Sequence, residues 1–182
     1  SSYNYHLPEH LIAQHPAEKR DNSRLMIVHA GNHEPQHFRF CDIGRSIGKD
    51  DMLVVNDTRV FPARLLGQKE TGGKAEVFLL EFPVINTNNS GTAVTNALVK
   101  SSKRPKTGAQ IAINEMLSCT VTEYLEDGKL KLTLQFDQSL GLAETLKRSG
   151  QVPLPPYISR KDGCTTDDVH RYQTVYASQP GA

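Results

Sequence analysis

Alternating apolar and polar positions dominate the middle of the chain, and this period of two residues is typical of strands with one buried face. The clearest example is residues 129–136, where leucines and a phenylalanine fall on one face and polar side chains on the other. Asp127-Gly128, just before this run, is a typical hairpin turn. Comparable strand signals lie at residues 74–82, 93–99, 110–113 and 117–125. Because no helical period interrupts these runs, they predict a small antiparallel barrel or sandwich.

Residues 1–61 mix short helical signals with strand signals at 25–28 and 36–40. The apolar, β-branched run at 52–55 predicts a buried strand that ends directly in Asn56-Asp57-Thr58. Polar groups at the carboxyl end of a buried strand are well placed to face a ligand. These three residues are therefore candidates for a functional site.

Prolines mark two predicted domain crossings. Pro62 has no backbone N–H to donate, so a central strand cannot run unbroken through it. Residues 153–156 read Pro-Leu-Pro-Pro, a stiff, extended segment that suits a return crossing. Just before this segment, residues 142–146 have the period of an amphipathic helix, and Gly150 follows as its end. We expect the chain to leave one domain near Pro62 and to return to it after the helix.

The composition is that of a soluble globular protein, with 37% hydrophobic and 23% charged residues among 182. Lysine and arginine number 21 against 20 aspartates and glutamates, so a nucleic-acid partner would have to meet a local basic patch. The dense basic cluster comprises Lys100, Lys103, Arg104 and Lys106. The residues alone leave two interpretations open: a phosphate-contacting patch or a solvated hairpin loop.

Cysteine and histidine usage predicts neither a metal site nor a disulfide framework. Cys41, Cys119 and Cys164 are odd in number and widely separated, which favours a reducing, cytoplasmic setting. Three regularly spaced histidines are interrupted by glycine and proline and are interpreted as surface residues. The chain has no apolar run of membrane-spanning length and no signal-peptide pattern, so we expect no membrane partner.

Two further clusters carry groups that are able to bind a ligand. Arg20, Asp21 and Arg24 flank the first predicted strand, where a solvated turn with an ion pair is the alternative. A helix start at residues 165–168 leads into a cluster of hydrogen-bonding and stacking groups at 171–176. For its tyrosines, ordinary half-buried packing is the alternative.

A set of specific motifs is distributed in order along the whole chain. The residues are Leu7-Pro8, Leu11 to Gln14, Pro16, Arg20 to Arg24, Asn56 to Val60, Pro62 to Leu65, Gly73, Glu76, Ala97 to Lys100, Lys103-Arg104, Gly108, Pro153 to Ile158, Arg160, Asp168 and Arg171 to Ala177. Together they closely resemble the S-adenosylmethionine:tRNA ribosyltransferase-isomerase family of queuosine biosynthesis. One departure is Thr95-Asn96, which stands where the family usually has a tryptophan.

The resemblance implies an α+β fold in which an inserted antiparallel β-barrel domain interrupts an α/β domain. The first part of the α/β domain would be residues 1–61, the barrel 62–152, and the return into the α/β domain 153–182. The family continues beyond the position of Ala182, so the resemblance implies that the α/β domain is incomplete and that most of the present chain is β.

The resemblance also implies a reaction. The ribosyl group of S-adenosylmethionine is transferred to 7-aminomethyl-7-deazaguanine at the wobble position of tRNA and is isomerised. The products are epoxyqueuosine, adenine and methionine. S-adenosylmethionine would be a ribosyl-donating substrate, and no metal would be needed because the sulfonium acidifies the neighbouring carbon. The full-length enzyme is expected to be a cytoplasmic monomer.

Three groups of site residues follow from the resemblance. Asn56, Asp57 and Thr58 form the candidate catalytic group, in which the Asp57 carboxylate would contact the ligand near its cation. The alternative is that Asp57 only caps the turn and pairs with an arginine. Candidate substrate-binding residues are Arg20, Asp21, Arg24, Arg59, Arg64, Tyr157, Arg160, Asp168, Arg171, Tyr172 and Gln173. Candidate tRNA contacts are Lys100, Lys103, Arg104 and Lys106.

Two other classes of function are also compatible with the residues. One is a non-catalytic RNA-binding β-barrel module, which would bind tRNA but release no adenine. The other is a structural or partner-binding domain, which would show no affinity for tRNA at moderate salt.

Overall fold

The computed structural model describes residues 4–31, 34–155, 157–160 and 165–181. They divide into two compact units, one of Ser1–Val55 with Pro155–Lys161 and one of Asn56–Leu154 with Asp162–Ala182. Strands predominate over helices in the described residues, which confirms the predicted class of a mostly β chain.

The first unit contains an antiparallel hairpin of β1 (Arg24–Ile27) and β2 (Gln36–Arg39), in which Leu25 lies opposite Phe38. Both strands were predicted from the sequence. Short 3₁₀ helices lie at Glu9–Leu11, Arg20–Asn22 and Phe40–Arg45.

The predicted buried strand at residues 52–55 is wrong. This segment has no regular secondary structure, and Met52 and Val54 are 88% and 84% exposed. A strand is stabilised by a paired neighbour, and within the described residues none pairs with this segment. Hydrophobic sequence alone therefore does not make a strand here, and the turn at Asn56 does not follow the end of one.

The second unit contains most of the strands. They are β3 (Thr58–Val60), β4 (Arg64–Lys69), β5 (Lys74–Leu79), β6 (Val84–Asn86), β7 (Asn89–Ser101), β8 (Gln110–Asn114), β9 (Leu117–Tyr124), β10 (Leu130–Phe136), β11 (Gly150–Gln151) and β12 (Gln179–Gly181). Six of them form a closed antiparallel barrel in the order β10-β9-β8-β4-β5-β7, and β10 pairs back with β7. The predicted antiparallel β-barrel is thereby confirmed, and the sandwich alternative is excluded.

The barrel interior follows from the alternation in the sequence. Leu130, Leu132 and Leu134 are at most 1% exposed, whereas Gln135 faces outward. The turn before β10 has positive φ angles of 56° at Asp127 and 76° at Gly128, as expected for a tight Asp-Gly hairpin. The other interior residues include Leu65, Val77, Leu79, Ala93, Ala97, Ile111, Leu117, Cys119 and Val121.

A short helix packs on the barrel core. Helix α1 (Leu142–Ser149) buries Leu142 and Leu146 in the same cluster as Phe61. The Phe61 ring meets Phe82 edge to face, with ring centroids 5.2 Å apart. The predicted helix is thus present, and it fixes the position of the chain at the entrance to the barrel. Directly after it, β11 returns to β4, with Gly150 opposite Leu65.

Candidate functional site

The three candidate catalytic residues form a tight turn that leads into β3. The Asn56 side-chain oxygen Oδ1 accepts a hydrogen bond from the Thr58 backbone N–H at 2.8 Å, which is an Asx turn. The Asn56 oxygen therefore serves the local backbone. The Asp57 side chain is exposed, and its Oδ2 lies 3.4 Å from the Ser178 hydroxyl. The Asp57 carboxylate therefore faces solvent.

The segment 173–181 holds this turn from the other end of the chain. The Ser178 backbone N–H donates to the Asp57 carbonyl oxygen at 2.8 Å. Strand β12 then pairs in parallel with β3, with Gln179 opposite Thr58 and Gly181 opposite Val60. The backbone at Asp57 is consequently held by residues more than a hundred positions away in the sequence.

Gln173 joins the same arrangement through a pair of hydrogen bonds. Its Oε1 accepts from the Val60 N–H at 3.1 Å, and its Nε2 donates to the Val60 carbonyl oxygen at 2.7 Å. Since the amide group uses both its donor and its acceptor on one backbone residue, the side chain imitates a neighbouring strand. Gln173 is therefore a positioning residue for β3.

Asp168 caps the helix that precedes Gln173. Helix α2 (Thr166–Arg171) starts at Thr165, whose backbone N–H and side-chain hydroxyl both lie 2.9 Å from Asp168 Oδ2. The Asp168 N–H in turn donates to the Thr165 hydroxyl, so the pair forms a capping box. Asp168 is only 2% exposed. Its carboxylate stabilises the helix start, and the half-buried Arg171 and Tyr172 follow at the other end of the helix.

The two arginines after Thr58 have different environments. Arg59 is exposed on β3. Arg64, on the barrel wall, donates from Nε to Glu76 Oε1 at 2.7 Å and from Nη1 to Gln151 Oε1 at 3.4 Å. The hydrogen bond from Arg64 lowers the pKa of the Glu76 carboxyl below its ordinary value. Arg64 therefore has an acidic partner within the barrel.

Other predicted substrate-binding residues lie in the first unit. Gln14 is hydrogen-bonded to the segment that follows Pro155. Its Nε2 donates to the Tyr157 carbonyl oxygen at 3.0 Å, and its backbone carbonyl oxygen accepts from Arg160 Nη2 at 2.9 Å. The Tyr157 side chain is 60% exposed. Arg20, Asp21 and Arg24 are exposed at the start of β1.

The basic cluster combines a strand residue with a loop of fixed shape. Lys100 is exposed on β7, and the other three cations lie in the loop that follows. The Arg104 guanidinium lies 4.6 Å from the centre of the Tyr124 ring, a cation–π contact. Tyr124 also donates from its hydroxyl to the Pro105 carbonyl oxygen at 2.6 Å. The loop is therefore ordered by Tyr124, while its cations face solvent.

Sequence reasoning missed three residues that shape these sites. Ser178 anchors Asp57, Tyr124 supports Arg104, and Lys69 donates from Nζ to the Lys103 carbonyl oxygen at 3.0 Å. Each contact joins positions that are distant in the sequence. Only the strand pairing brings them together, so no local pattern could have identified them.

Within the described residues, no group of three or more histidine, cysteine, aspartate or glutamate side chains is arranged to hold a metal ion. In the same part of the chain, no helix is both long enough and apolar enough to cross a membrane.

Comparison with known proteins gives a consistent result. The model of a family described as queuosine biosynthesis protein matches residues 1–182. The S-adenosylmethionine:tRNA ribosyltransferase-isomerase of Desulfotalea psychrophila is 51% identical over 181 residues, which cover 100% of this chain and 50% of that protein. The protein of the same name from Acetivibrio thermocellus is 45% identical over 184 residues, with the same two coverages.

A crystal structure is also similar in sequence. It is that of S-adenosylmethionine tRNA ribosyltransferase from Thermotoga maritima, which is 31% identical and has a TM-score of 0.36. The match covers 83% of this chain and 49% of that one. The chain thus spans about half the length of the relatives it matches.

Proposed function

Because this chain belongs to the queuosine biosynthesis protein family, we propose that it acts in the transfer and isomerisation of the ribosyl group of S-adenosylmethionine onto tRNA. The acceptor is 7-aminomethyl-7-deazaguanine at the wobble position, and the products are epoxyqueuosine, adenine and methionine. The observation that carries the proposal is 51% identity over 100% of the chain to a protein named for this activity.

The reaction sets three requirements for the protein. A base has to remove a proton from the carbon beside the sulfonium, a group has to assist the departure of adenine, and the exocyclic amine of the acceptor base has to be held at the ribose. The sulfonium is a cation, so a nearby carboxylate attracts it and orients the ligand. These requirements favour an accessible carboxylate in a rigid setting.

Asp57 meets that description best among the predicted carboxylates. It is exposed, while its backbone is held by Ser178 and by the Asx turn of Asn56. We assign Asp57 to contact with S-adenosylmethionine near the sulfonium. Asn56 and Thr58 act as positioning residues, because their polar atoms form the turn. Asp168 positions the neighbouring helix, since its carboxylate is buried in the capping box.

The exposed aromatic and cationic groups suit the tRNA. Single-stranded anticodon loops are recognised by stacking on aromatic rings and by contacts to phosphates. Tyr157 is an exposed ring, and Lys100, Lys103, Arg104 and Lys106 form an exposed basic cluster on one side of the barrel. We assign Tyr157 to a splayed base and the cluster to phosphates.

The experiment that tests the proposal supplies the chain with S-adenosylmethionine and with tRNA that carries the aminomethyl-deazaguanine. Adenine release is measured by chromatography, and tRNA binding is measured by gel shift on the same sample. Adenine release supports the proposed reaction. If the chain releases no adenine and binds no tRNA, the proposed function is wrong.

A second candidate function is a non-catalytic RNA-binding module. It is favoured by one observation: the chain covers only 50% of each relative, and it contains a complete barrel with a basic loop. Binding of tRNA without adenine release in the same experiment identifies this function for the chain.

A further inference from the structure

The outer wall of the barrel contains a cleft that the predicted site residues do not explain. It is broadly open to solvent and has a volume of about 750 Å³, which is within the range of small-molecule sites. Strands β4, β5, β7 and β8 contribute to its lining, which includes Leu66, Lys74, Glu76, Lys100 and Ile113. Of these residues, sequence reasoning placed only Lys100 in a site.

The cleft lies where β4 and β8 pair over a very short distance. Their register includes only Gln68 with Ala112 and Lys69 with Ile111. At the adjoining Gly67, an added Cβ would lie 2.5 Å from the Ala112 carbonyl oxygen. The two strands therefore approach closely at the glycine, and towards its amino end β4 pairs with β11 instead of β8.

The strand registers place the charges of the cleft on one face. Glu76 lies directly opposite Lys100, and Lys74 lies two residues along the same strand, so all three side chains project outward. Glu76 is already paired with Arg64 at 2.7 Å. In the described part of the chain, neither Lys74 nor Lys100 has a carboxylate at salt-bridge distance. The cleft therefore presents two exposed cations that form no salt bridge there, and Lys100 faces Glu76 across the strand pair.

The remaining lining is suited to a base and a sugar. Leu66 is 46% exposed, and the half-buried Ile113, which packs against the barrel core, also lines the cleft, so the cleft has an apolar side. The Gln68 amide and the Glu76 carboxylate offer acceptors for a ribose hydroxyl. Lys100 also begins the basic cluster, which continues the positive charge away from the cleft.

We propose that this cleft binds one single-stranded nucleotide of an RNA, with its phosphate at Lys74 and Lys100 and its base against Leu66 and Ile113. The proposal rests on the proposed function, since that function supplies an RNA substrate. It adds a subsite on the barrel wall and extends the tRNA contact from the basic loop to strands β4, β5 and β8.

The test uses a fluorescein-labelled oligouridylate of about ten nucleotides, a length within the range that single-strand-binding folds occupy. Fluorescence anisotropy gives its dissociation constant for the chain at several salt concentrations. Two variants probe different sides of the cleft: Lys74→Glu alters the phosphate contact, and Leu66→Ser alters the base contact. Both side chains are exposed, and thermal unfolding checks that each variant is folded.

Lys147→Glu is the matched control, because it makes the same change in charge on α1. Its side chain is 76% exposed, and it lines a different cleft. We expect Lys74→Glu to weaken binding about tenfold and Leu66→Ser about fivefold, with less than about a twofold effect for Lys147→Glu. In addition, Lys74→Ala should reduce the slope of log affinity against log salt by about 0.7, the value for one lost contact to a single strand.

Equal affinities for Lys74→Glu and Lys147→Glu would overturn the proposal, as would a wild-type chain that does not bind the oligonucleotide. The probe contains no modified base and the assay no S-adenosylmethionine. If the chain releases adenine but does not bind the oligonucleotide, only the proposed nucleotide site is wrong. If oligonucleotide binding depends on Lys74, the nucleotide site is supported even when no adenine is released.

Discussion

Gln173 and Val60 are joined by two hydrogen bonds, so that one side-chain amide satisfies both backbone groups of a strand residue 113 positions away. This contact ties the segment after α2 to the strand that follows Asp57. It makes the candidate catalytic turn depend on residues at both ends of the second unit.

Removing this side-chain amide should loosen β3. Gln173→Met keeps the length of the side chain but leaves both Val60 backbone groups without these partners, at a cost of about 1–3 kcal/mol in stability. Hydrogen exchange of the Val60 amide should become faster. Gln135→Met is the control, because Gln135 is exposed on β10. Unchanged exchange at Val60 would show that the pair does not hold the strand.

Gly67 should tolerate no side chain. In Gly67→Ala, the new Cβ would lie 2.5 Å from the Ala112 carbonyl oxygen and 2.7 Å from Ile113 Cδ1, so β4 and β8 would have to separate. Overpacking of this kind costs about 1–3 kcal/mol. Urea unfolding should show the loss. Gly44→Ala, where the added Cβ has open space, should have a small effect, and equal effects for the two variants would contradict the close approach.

The ion pair of Arg64 with Glu76 should stabilise the barrel in a pH-dependent way. Its partly exposed side chains limit the contribution to roughly 0.2–1 kcal/mol. Because the Glu76 pKa is lowered in the folded chain, this contribution is present above the ordinary value of 4.5 and is lost as the pH falls through the lowered pKa.

The free energies of unfolding of the wild type and Glu76→Gln should therefore differ at neutral pH and converge in acid. The exposed Glu115 provides the control variant Glu115→Gln, whose difference from the wild type should be smaller at neutral pH. A Glu76→Gln difference that grows toward acid pH would contradict the assigned sign.

Asp57→Asn should reduce adenine release about a hundredfold or more if the carboxylate acts at the sulfonium. The measurement is made in a protein of the relatives' full length that carries this chain. Asp127→Asn is a matched control: Asp127 is exposed in the β9–β10 turn, and asparagine tolerates its positive φ. Normal turnover in Asp57→Asn would show that the Asp57 carboxylate takes no part in the reaction and that the residue only forms the turn.

Charge reversal in the basic loop should weaken tRNA binding and flatten its salt dependence. Lys103→Glu with Lys106→Glu removes two exposed cations but leaves Arg104 on Tyr124, so the loop should keep its shape. Two lost phosphate contacts correspond to a slope change of about 1.4 to 1.8. The control is the double variant Lys129→Glu with Lys131→Glu. If the slope of log affinity against log salt is the same in both double variants, the loop is an ordinary solvated hairpin.

The barrel could be predicted from the sequence because its strands and turns are indicated by residues that are adjacent in the chain. The alternation in residues 129–136 and the Asp127-Gly128 turn define a hairpin without reference to any other part of the chain. The start of α2 at Thr165 is similarly defined by its capping residues. Such elements can be predicted without knowledge of the tertiary contacts.

The candidate site was predicted as a set of residues but not as an arrangement. Nothing near Asp57 in the sequence indicates Ser178, and nothing near Gln173 indicates Val60, since strand pairing alone brings them together. The error at residues 52–55 has the same origin. Apolar composition predicts burial, but burial requires a neighbouring surface, and the described residues do not provide one there.

The pairing of β4 with β11 has a consequence for protein engineering. Arg64 lies directly opposite Gln151, so the chain leaves the barrel beside the strand on which it entered, with Cα atoms about 5 Å apart. The entry and exit points are therefore adjacent, which is the geometry that an exchange of domains requires. Phe61 and Ala63, just before the entry point, are buried in the barrel core, so a turn in place of the intervening residues would expose both side chains.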